Sequence, residues 1–487
     1  MSKIKYSLLK ITAVFLISIA CLIRFFYFEE FGTFLNDDIQ YFGMANFILQ
    51  GIPPTTDGIN PHTLFPPGYP FIVALENIFL ENYYDIKRIE FIFVTAGISL
   101  LMIKLLKLLS IPLNFLSISI ICLTPFFLFN IATIGGSTEV WSSLILLSGT
   151  IALIKLLRSN NLIFLFIANS LFAFAYLIRP EGMVYFIASV LTIFFLFKNN
   201  AIKLNIKVVI KIFMSFIVPA ICLIFPYIFF LYTNTGEVTI SGKSSYNSAL
   251  VSDIFDSGLD KYKNNFMGLI SVLTGPFFLG PVIQILLLIF FGAILFKKIR
   301  LTQNDLILLI PIPFILGAML YYLPWARALA PSLPVFVIFA IKGSEFLIHN
   351  LKINRYIPFI AIVVGLINLG ITFLPNFLGK LDDNPKGYYK VANEIKKVRS
   401  KIYVYSRDTT LELYLDDAMV CTKFDDCNEQ LDFLILSNSN HVKLTPSRFN
   451  LELSQFLPPI IVNIKDQKCI QLKTYTRGNI WFASYEC

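Results

Sequence analysis

The chain has 487 residues, of which 56% are hydrophobic and 15% charged, with 40 Lys and Arg against 31 Asp and Glu. At a mean hydropathy of +0.70, it carries more apolar surface than a soluble core of this length hides, which excludes an ordinary water-soluble domain. The net charge of +9 is spread over short connections between apolar runs. It is not gathered with stacking aromatics on one soluble face, so it argues against nucleic-acid binding.

About eleven apolar runs are long enough to cross a hydrocarbon layer of roughly 30 Å. They lie near residues 8–28, 89–109, 112–131, 138–156, 162–178, 182–198, 208–232, 274–296, 304–323, 330–348 and 356–375. The first has basic flanks, lacks a small-residue cleavage site and ends in RFFYFEE, the pattern of an uncleaved signal anchor. Alternate connections carry Lys3 and Lys5, Lys104 and Lys107, Lys155 and Arg158, Lys203 and Lys207, Lys297, Lys298 and Arg300, then Lys352 and Arg355. These are assigned to the cytoplasm. The opposite set holds Glu29, Glu30, Asp37, Asp38, Asp57, Glu76, Glu81 and Asp85. The expected architecture is an α-helical polytopic membrane protein of an inner or plasma membrane over residues 1–379, followed by a small extracytoplasmic α/β domain over 380–487.

Three pieces lie outside the spans. In the first outer loop, 29–88, the segment DIQYFGMANFILQ has an apolar stripe expected to lie as a helix along the interface. A Pro- and Gly-rich turn and a second short helix follow it. The outer loop 233–273 is polar around SGKSSYNSALVSD, and its length suits a lid or disorder. In the tail, GYYKVANEIKKVRS has the pattern of an amphipathic helix, and KIYVYS, DFLILS, PPIIVNIK and CIQLKTYTR the pattern of strands. Cys421, Cys427, Cys469 and Cys487 all fall in this tail. Two disulfides are expected there, Cys421–Cys427 and Cys469–Cys487 among three possible pairings, with free thiols as the alternative. No internal repeat, Gly-rich phosphate loop or Cys/His metal spacing occurs in the sequence, and its three histidines are scattered. No cofactor is implied; a divalent ion is compatible with paired acids but unsupported by ligand spacing.

The residues able to carry chemistry crowd the outer side. Asn36 and Asp37 suit the start of a helix, whose free N–H groups they cap. Asp37 or Asp38 also suits a general base that takes a proton from a sugar hydroxyl at a cavity floor. Arg327 in YYLPWARALAP either snorkels beside Trp325 or binds an anion. Arg179 and Glu181 in IRPEG either pair across the Pro turn or face substrate. Lys87 and Arg88 either anchor a helix or meet a phosphate. Glu139 either compensates a helix N-terminus or binds sugar hydroxyls. Tyr41, His62 and Tyr69 are candidate sugar or acceptor contacts, and Lys243 in SGKSSYN a candidate phosphate contact.

Five segments in order carry a resemblance. Asp37, Asp38, Tyr41 and Ala45 form D-D-x-x-Y-x-x-x-A soon after the first run; PPGYPFIVAL, STEVWSSLILL, AYLIRPEGMVYF and WARALAPSLPVF follow. Together they resemble the GT-C glycosyltransferases that use polyprenyl-phosphate sugars, among them protein O-mannosyltransferases and lipid A aminoarabinose transferases, over roughly residues 8–350. The resemblance implies that Asp37 is the catalytic base and Arg327 a phosphate ligand. It implies a polyprenyl-phosphate sugar donor and single displacement with inversion. The acceptor would be a hydroxyl on lipopolysaccharide, another glycan, a lipid or a protein. The family commonly has Glu at the second acidic position, where this chain has Asp38, which leaves the role of that residue open. A transporter or flippase would instead place ionisable groups near span centres, and a glycan polymerase or ligase would carry a large late outer loop rich in Arg and His.

Overall fold

The computed structural model describes residues 17–18, 36–55, 61–80, 83–114, 117–118, 120–121, 124, 138–203, 205–239, 262–273, 281–321, 326–350 and the strand segments of the tail. The expected spans 8–28 and 356–375, most of 112–131, and the helix over 387–400 lie outside these residues.

Two short helices open the described chain, α1 (Asn36–Leu49) and α2 (Gly68–Asn77), and α3 (Tyr83–Leu108) follows. Next come α4 (Thr138–Ser159), α5 (Ile163–Ile178), a 3-10 turn (Pro180–Tyr185) and α6 (Phe186–Lys198). α7 (Ile206–Pro219) and α8 (Phe225–Thr235) are joined by a π turn at Ala220–Ile224. Residues 262–273 form α9. α10 (Pro281–Leu295), α11 (Gln303–Leu309), α12 (Pro311–Tyr321), α13 (Ala326–Leu329) and α14 (Leu333–Asn350) complete the helical part. Among the described residues six helical stretches are long and apolar enough to cross a membrane, with Ile163–Ile178 and Ile283–Leu295 shorter but equally apolar. These eight coincide with eight of the expected runs.

The differences from hydropathy alone sit at prolines. Pro180 drives Arg179 into an extended conformation (φ −148°, ψ 134°), which ends α5 and starts the next span as a 3-10 turn. Pro219, which has no N–H to give the Ser215 carbonyl, ends α7, and a π turn follows; Asn169 donates to that carbonyl instead.

α4 is the central element. In its most apolar stretch 78% of the residues are buried, against 17% for the α7–α8 stretch, which therefore offers most of its surface to lipid. Gly149 lets α4 approach α5, where a Cβ would lie 2.4 Å from the Phe172 ring. Gly343 likewise brings α14 onto the backbone of Leu286, and Phe290 stacks on Phe339 at 4.9 Å. Asn169 is paired across helices, donating to the Ser215 carbonyl and accepting from Ser189.

The basic connections form one end of the bundle. There Asp305 caps α11 with Thr302 and pairs with Lys342 of α14, Asn114 donates to Glu345, and Asn199 bonds Gln303. At the opposite end, α2 rests on the last turn of α5. A Cβ on Gly68 would sit 2.6 Å from the Leu177 carbonyl.

In the tail six strands form a sheet in the order β2-β1-β3-β6-β5-β4. They are β1 (Tyr403–Tyr405), β2 (Met419–Cys421), β3 (Phe433–Ser437), β4 (Ile461–Ile464), β5 (Gln467–Arg477) and β6 (Ile480–Glu486). β1 runs parallel to β2 and β3, and the rest pair antiparallel. Four strands lie on the expected segments. β2 and β6 are additional, and the aromatic, alternating IWFASYE after the Gly478-Asn479 turn signal explains the second.

Gly68→Ala is expected to separate α2 from α5 and cost about 1–3 kcal/mol, whereas Gly292→Ala, with open space around its Cβ, should be neutral or slightly stabilising. Thermal unfolding in detergent checks the contrast. In the sheet, Ile470 pairs with Glu486, the residue directly before Cys487; Cys427 and Cys487 themselves lie outside the described residues. Non-reducing peptide mapping is expected to recover Cys469 joined to Cys487, and recovery of Cys469 with Cys421 or Cys427 contradicts that pairing.

Candidate functional site: a buried carboxylate between two arginines

Glu139 stands in the first turn of α4 and is fully buried. A lone carboxylate there would be strongly disfavoured. Arg327 donates from Nε to Glu139 Oε1 at 2.7 Å, and Arg179 donates from Nη1 to the same oxygen at 2.5 Å. Thr138 donates its hydroxyl to Oε2 at 3.0 Å. Arg179 also reaches Glu181 Oε1 through Nη2 at 2.7 Å. The partners come from distant parts of the chain: Arg179 from the extended residue before Pro180, Arg327 from α13.

Local sequence sets both arginines. Gly182 lets the 3-10 turn fold back on α5, since a Cβ would lie 2.3 Å from the Tyr176 nitrogen; that hairpin aims Arg179 across the end of α4. The turn Ala330–Ser332 is fixed by Ser143 donating to the Ala330 carbonyl and by a Tyr185–Ser332 hydroxyl pair. It holds Arg327 at the start of its span. Burial works against the charge on Arg179, but Glu181 and Glu139, with a smaller contribution from Tyr41, keep its guanidinium more firmly protonated than usual. Arg179 Nε and Glu181 Oε2 are buried without a hydrogen-bond partner among the described residues.

Tyr41 connects this cluster to the first loop. Its ring meets Phe65 at 5.0 Å and Tyr69 at 5.1 Å edge-on, and His62 stacks on Phe65 at 5.3 Å. Asp37 and Asp38 lie in the first turn of α1, one helical turn before Tyr41; their side chains lie outside the described residues. Lys243 lies outside them as well.

A second polar cluster joins α2 to α3 and α4. Lys87 is buried and donates to the Tyr69 hydroxyl at 2.8 Å; Tyr69 in turn donates to Glu90 Oε2 at 3.0 Å. Trp141 donates to Glu90 Oε1 at 2.9 Å, and Lys87 lies 3.8 Å from Oε2. The Lys87 ammonium also sits over the Phe42 and Tyr69 rings at 5.3 and 5.1 Å. As placed, it is engaged within the protein. Arg88 is half-buried, with its guanidinium 3.7 Å from Asp85. Glu90 and Trp141 escaped the sequence reading as site residues and Glu76 entered it only as an outer acid, although an acid inside the run IKRIEFIFV is itself a signal.

Glu76 approaches Glu90 from α2, and its pKa is pushed up to about 9. Burial is the main cause, followed by the charge of Glu90 and the hydrogen bond to it; Lys87 works the other way. Glu76 therefore favours its protonated form. Among the described residues no group of three His, Cys, Asp or Glu side chains is arranged to hold a metal ion.

Two outcomes follow from the geometry. Glu139→Ala leaves two guanidiniums without their shared acceptor and is expected to cost about 3–5 kcal/mol, measured as a lowered unfolding midpoint in detergent. Glu76 keeps its proton when folded and loses it near pH 4.5 when unfolded. Its contribution to stability thus falls as pH rises from about 4.5 to about 9. Glu76→Gln should flatten that part of the stability–pH profile.

No protein-family model and no curated protein matches the chain. Among solved structures, ArnT from Cupriavidus metallidurans, bound to undecaprenyl phosphate, aligns with a TM-score of 0.57 at 11% identity, covering 97% of each chain. An Archaeoglobus fulgidus oligosaccharyltransferase in the apo form aligns at a TM-score of 0.45 and 11% identity, over 88% of this chain and 69% of its own; no argument rests on that looser match. With eight apolar helices among the described residues and this likeness to ArnT, the chain has the GT-C fold.

Proposed function

We propose that the protein is an integral-membrane glycosyltransferase. It moves a sugar from a polyprenyl-phosphate carrier to a hydroxyl of a cell-envelope acceptor at the outer face of the membrane. The observation that carries this reading is the convergence of Arg179 and Arg327 on Glu139. It occurs at the end of the bundle where α1, which opens with Asp37 and Asp38, lies. The likeness to a structure that holds undecaprenyl phosphate supports the carrier class.

The chemistry needs three things at this end. The leaving lipid phosphate gains negative charge as the glycosidic bond breaks, and guanidiniums fixed in a low-dielectric site stabilise it strongly because they need no reorganisation. Glu139 fixes both arginines while consuming only part of their five N–H donors each. A base must take the proton of the attacking hydroxyl, and Asp37 is assigned that role. Of the aromatic candidates, half-buried His62 is assigned the sugar contact, while the buried Tyr41 and Tyr69 back it, Tyr69 also positioning Lys87. Attack by the hydroxyl in one step inverts the anomeric centre. Lys87, bound to Tyr69 and Glu90, reaches a donor phosphate only if it leaves those partners.

The transporter reading is less well supported. Among the described residues the ion pairs gather toward the two ends of the spans, as with Glu139 and Asp305, rather than at their centres. The tail beyond residue 380 is proposed to lie on the same outer side.

Purified protein given a polyprenyl-phosphate sugar and an acceptor glycan should transfer the sugar. Asp37→Asn should lower turnover by about 10²–10⁴ with donor binding retained; near-normal turnover ends the base assignment. Arg327→Lys, which keeps the charge but loses the fork, should slow transfer more than it lowers the unfolding midpoint. A fall in stability alone would leave Arg327 an anchor.

A further inference from the structure

Far from the Glu139 cluster, two lysines on different helices meet. Lys104 belongs to the penultimate turn of α3 and Lys155 to that of α4, and their side chains are within hydrogen-bond reach of each other. An ammonium group has donors and no acceptor. Two of them side by side repel each other, and although Lys104 is exposed to solvent, an anion between them relieves that repulsion directly. Among the described residues neither lysine has a carboxylate partner. The acids at this end are engaged elsewhere: Asp305 with Lys342 and the Thr302 cap, Glu345 with Asn114.

The surroundings add to the demand for an anion. Lys155 is half-buried, with its ammonium 5.3 Å from the Phe164 ring centre, so it is held rather than free to swing away. Arg158, one turn on, is tied through its guanidinium to the Leu108 carbonyl, with Ser110 Oγ at 3.4 Å. That contact clamps the end of α4 to the end of α3. Lys107 lies exposed in the last turn of α3. Four cations thus share one small area, at the end that the basic connections assign to the cytoplasm. Exposed Leu100 on α3 and Ile163 at the start of α5, beside Phe164, show that apolar surface adjoins them.

We infer that Lys104 and Lys155 bind the phosphate of an anionic membrane phospholipid between α3 and α4 on the cytoplasmic leaflet. The lipid source is chosen over free phosphate because the pair lies at the rim of apolar, lipid-facing helices, where an anionic headgroup is already at high local concentration. The 16 residues between Glu139 and Lys155 on α4 put the site about 24 Å from the arginine cluster. It is therefore a separate site, and it does not depend on the proposed transfer reaction. Its function is to neutralise the like charges that otherwise push α3 and α4 apart at this end.

Native mass spectrometry of the full chain in detergent, with added phosphatidylglycerol or phosphatidylcholine, tests it. Wild type is expected to retain one phosphatidylglycerol and no phosphatidylcholine. Lys104→Gln with Lys155→Gln should weaken retention about thirtyfold, and Lys104→Arg with Lys155→Arg should keep it. The arginine pair and the single Lys104→Gln variant cover the case in which the double glutamine variant folds poorly. Equal retention of both lipids, or undiminished phosphatidylglycerol in the glutamine variants, overturns the site. Inorganic phosphate that displaces the lipid at equal concentration would assign the pair to a free anion and overturn the lipid assignment.

Discussion

A single buried carboxylate organises the end of the molecule where chemistry is expected. Glu139 has no contact with solvent, and its charge must be matched by cations that accept the same burial. Arg179 and Arg327 do so through one oxygen. The consequence is mechanical as well as electrostatic. The start of α4, the end of α5 and the approach to α14 are held in one arrangement by two charge-assisted hydrogen bonds, and the first loop rests on it through Gly68 and Tyr41. Removing either arginine would leave the other to carry Glu139 alone.

The two ends of the helical bundle solve different problems. At the basic end the links cap one helix and tie others together: a capping box, a Lys342–Asp305 pair, an Asn114–Glu345 hydrogen bond. At the other end the charged groups are packed against aromatic rings, and one carboxyl, Glu76, stays protonated well above its ordinary range. Such a grouping of opposed charges and a held proton in a partly dry region is characteristic of functional sites. The Glu76–Glu90–Lys87–Tyr69 cluster joins the loop helix α2 to the spans.

Hydropathy gave seven of the eight apolar stretches among the described residues to within a few residues, because burial in lipid leaves an unambiguous apolar signature; the expected run 274–296 overlaps Pro281–Leu295 but begins seven residues before it. What hydropathy could not give was the break at Pro180 as a device for aiming Arg179, or the π turn after Pro219. The meeting of Glu139 with Arg327, 188 residues apart, left no trace in local pattern; only the family resemblance brought the two segments into one account. Glu139 itself was noticed as a helix-start acid, and its place at the centre of the cluster follows from packing. Glu90 was overlooked because it lies inside a span counted as apolar. In the tail, β6 was missed although its aromatic alternation was visible, while the three-residue β2 is too short to have a pattern. Asp37 and Asp38 fall in the first turn of α1, as their capping chemistry suggests, and their catalytic role rests on resemblance and position.

The central claim is that the arginines held by Glu139 receive a lipid-borne phosphate. The most direct measurement is a cryo-EM map of the purified chain saturated with a polyprenyl monophosphate. The account predicts phosphate density within hydrogen-bond distance of Arg327 or Arg179, with Asp37 facing the same space. Phosphate density elsewhere, with both guanidiniums still turned wholly to Glu139 and Glu181, would contradict it.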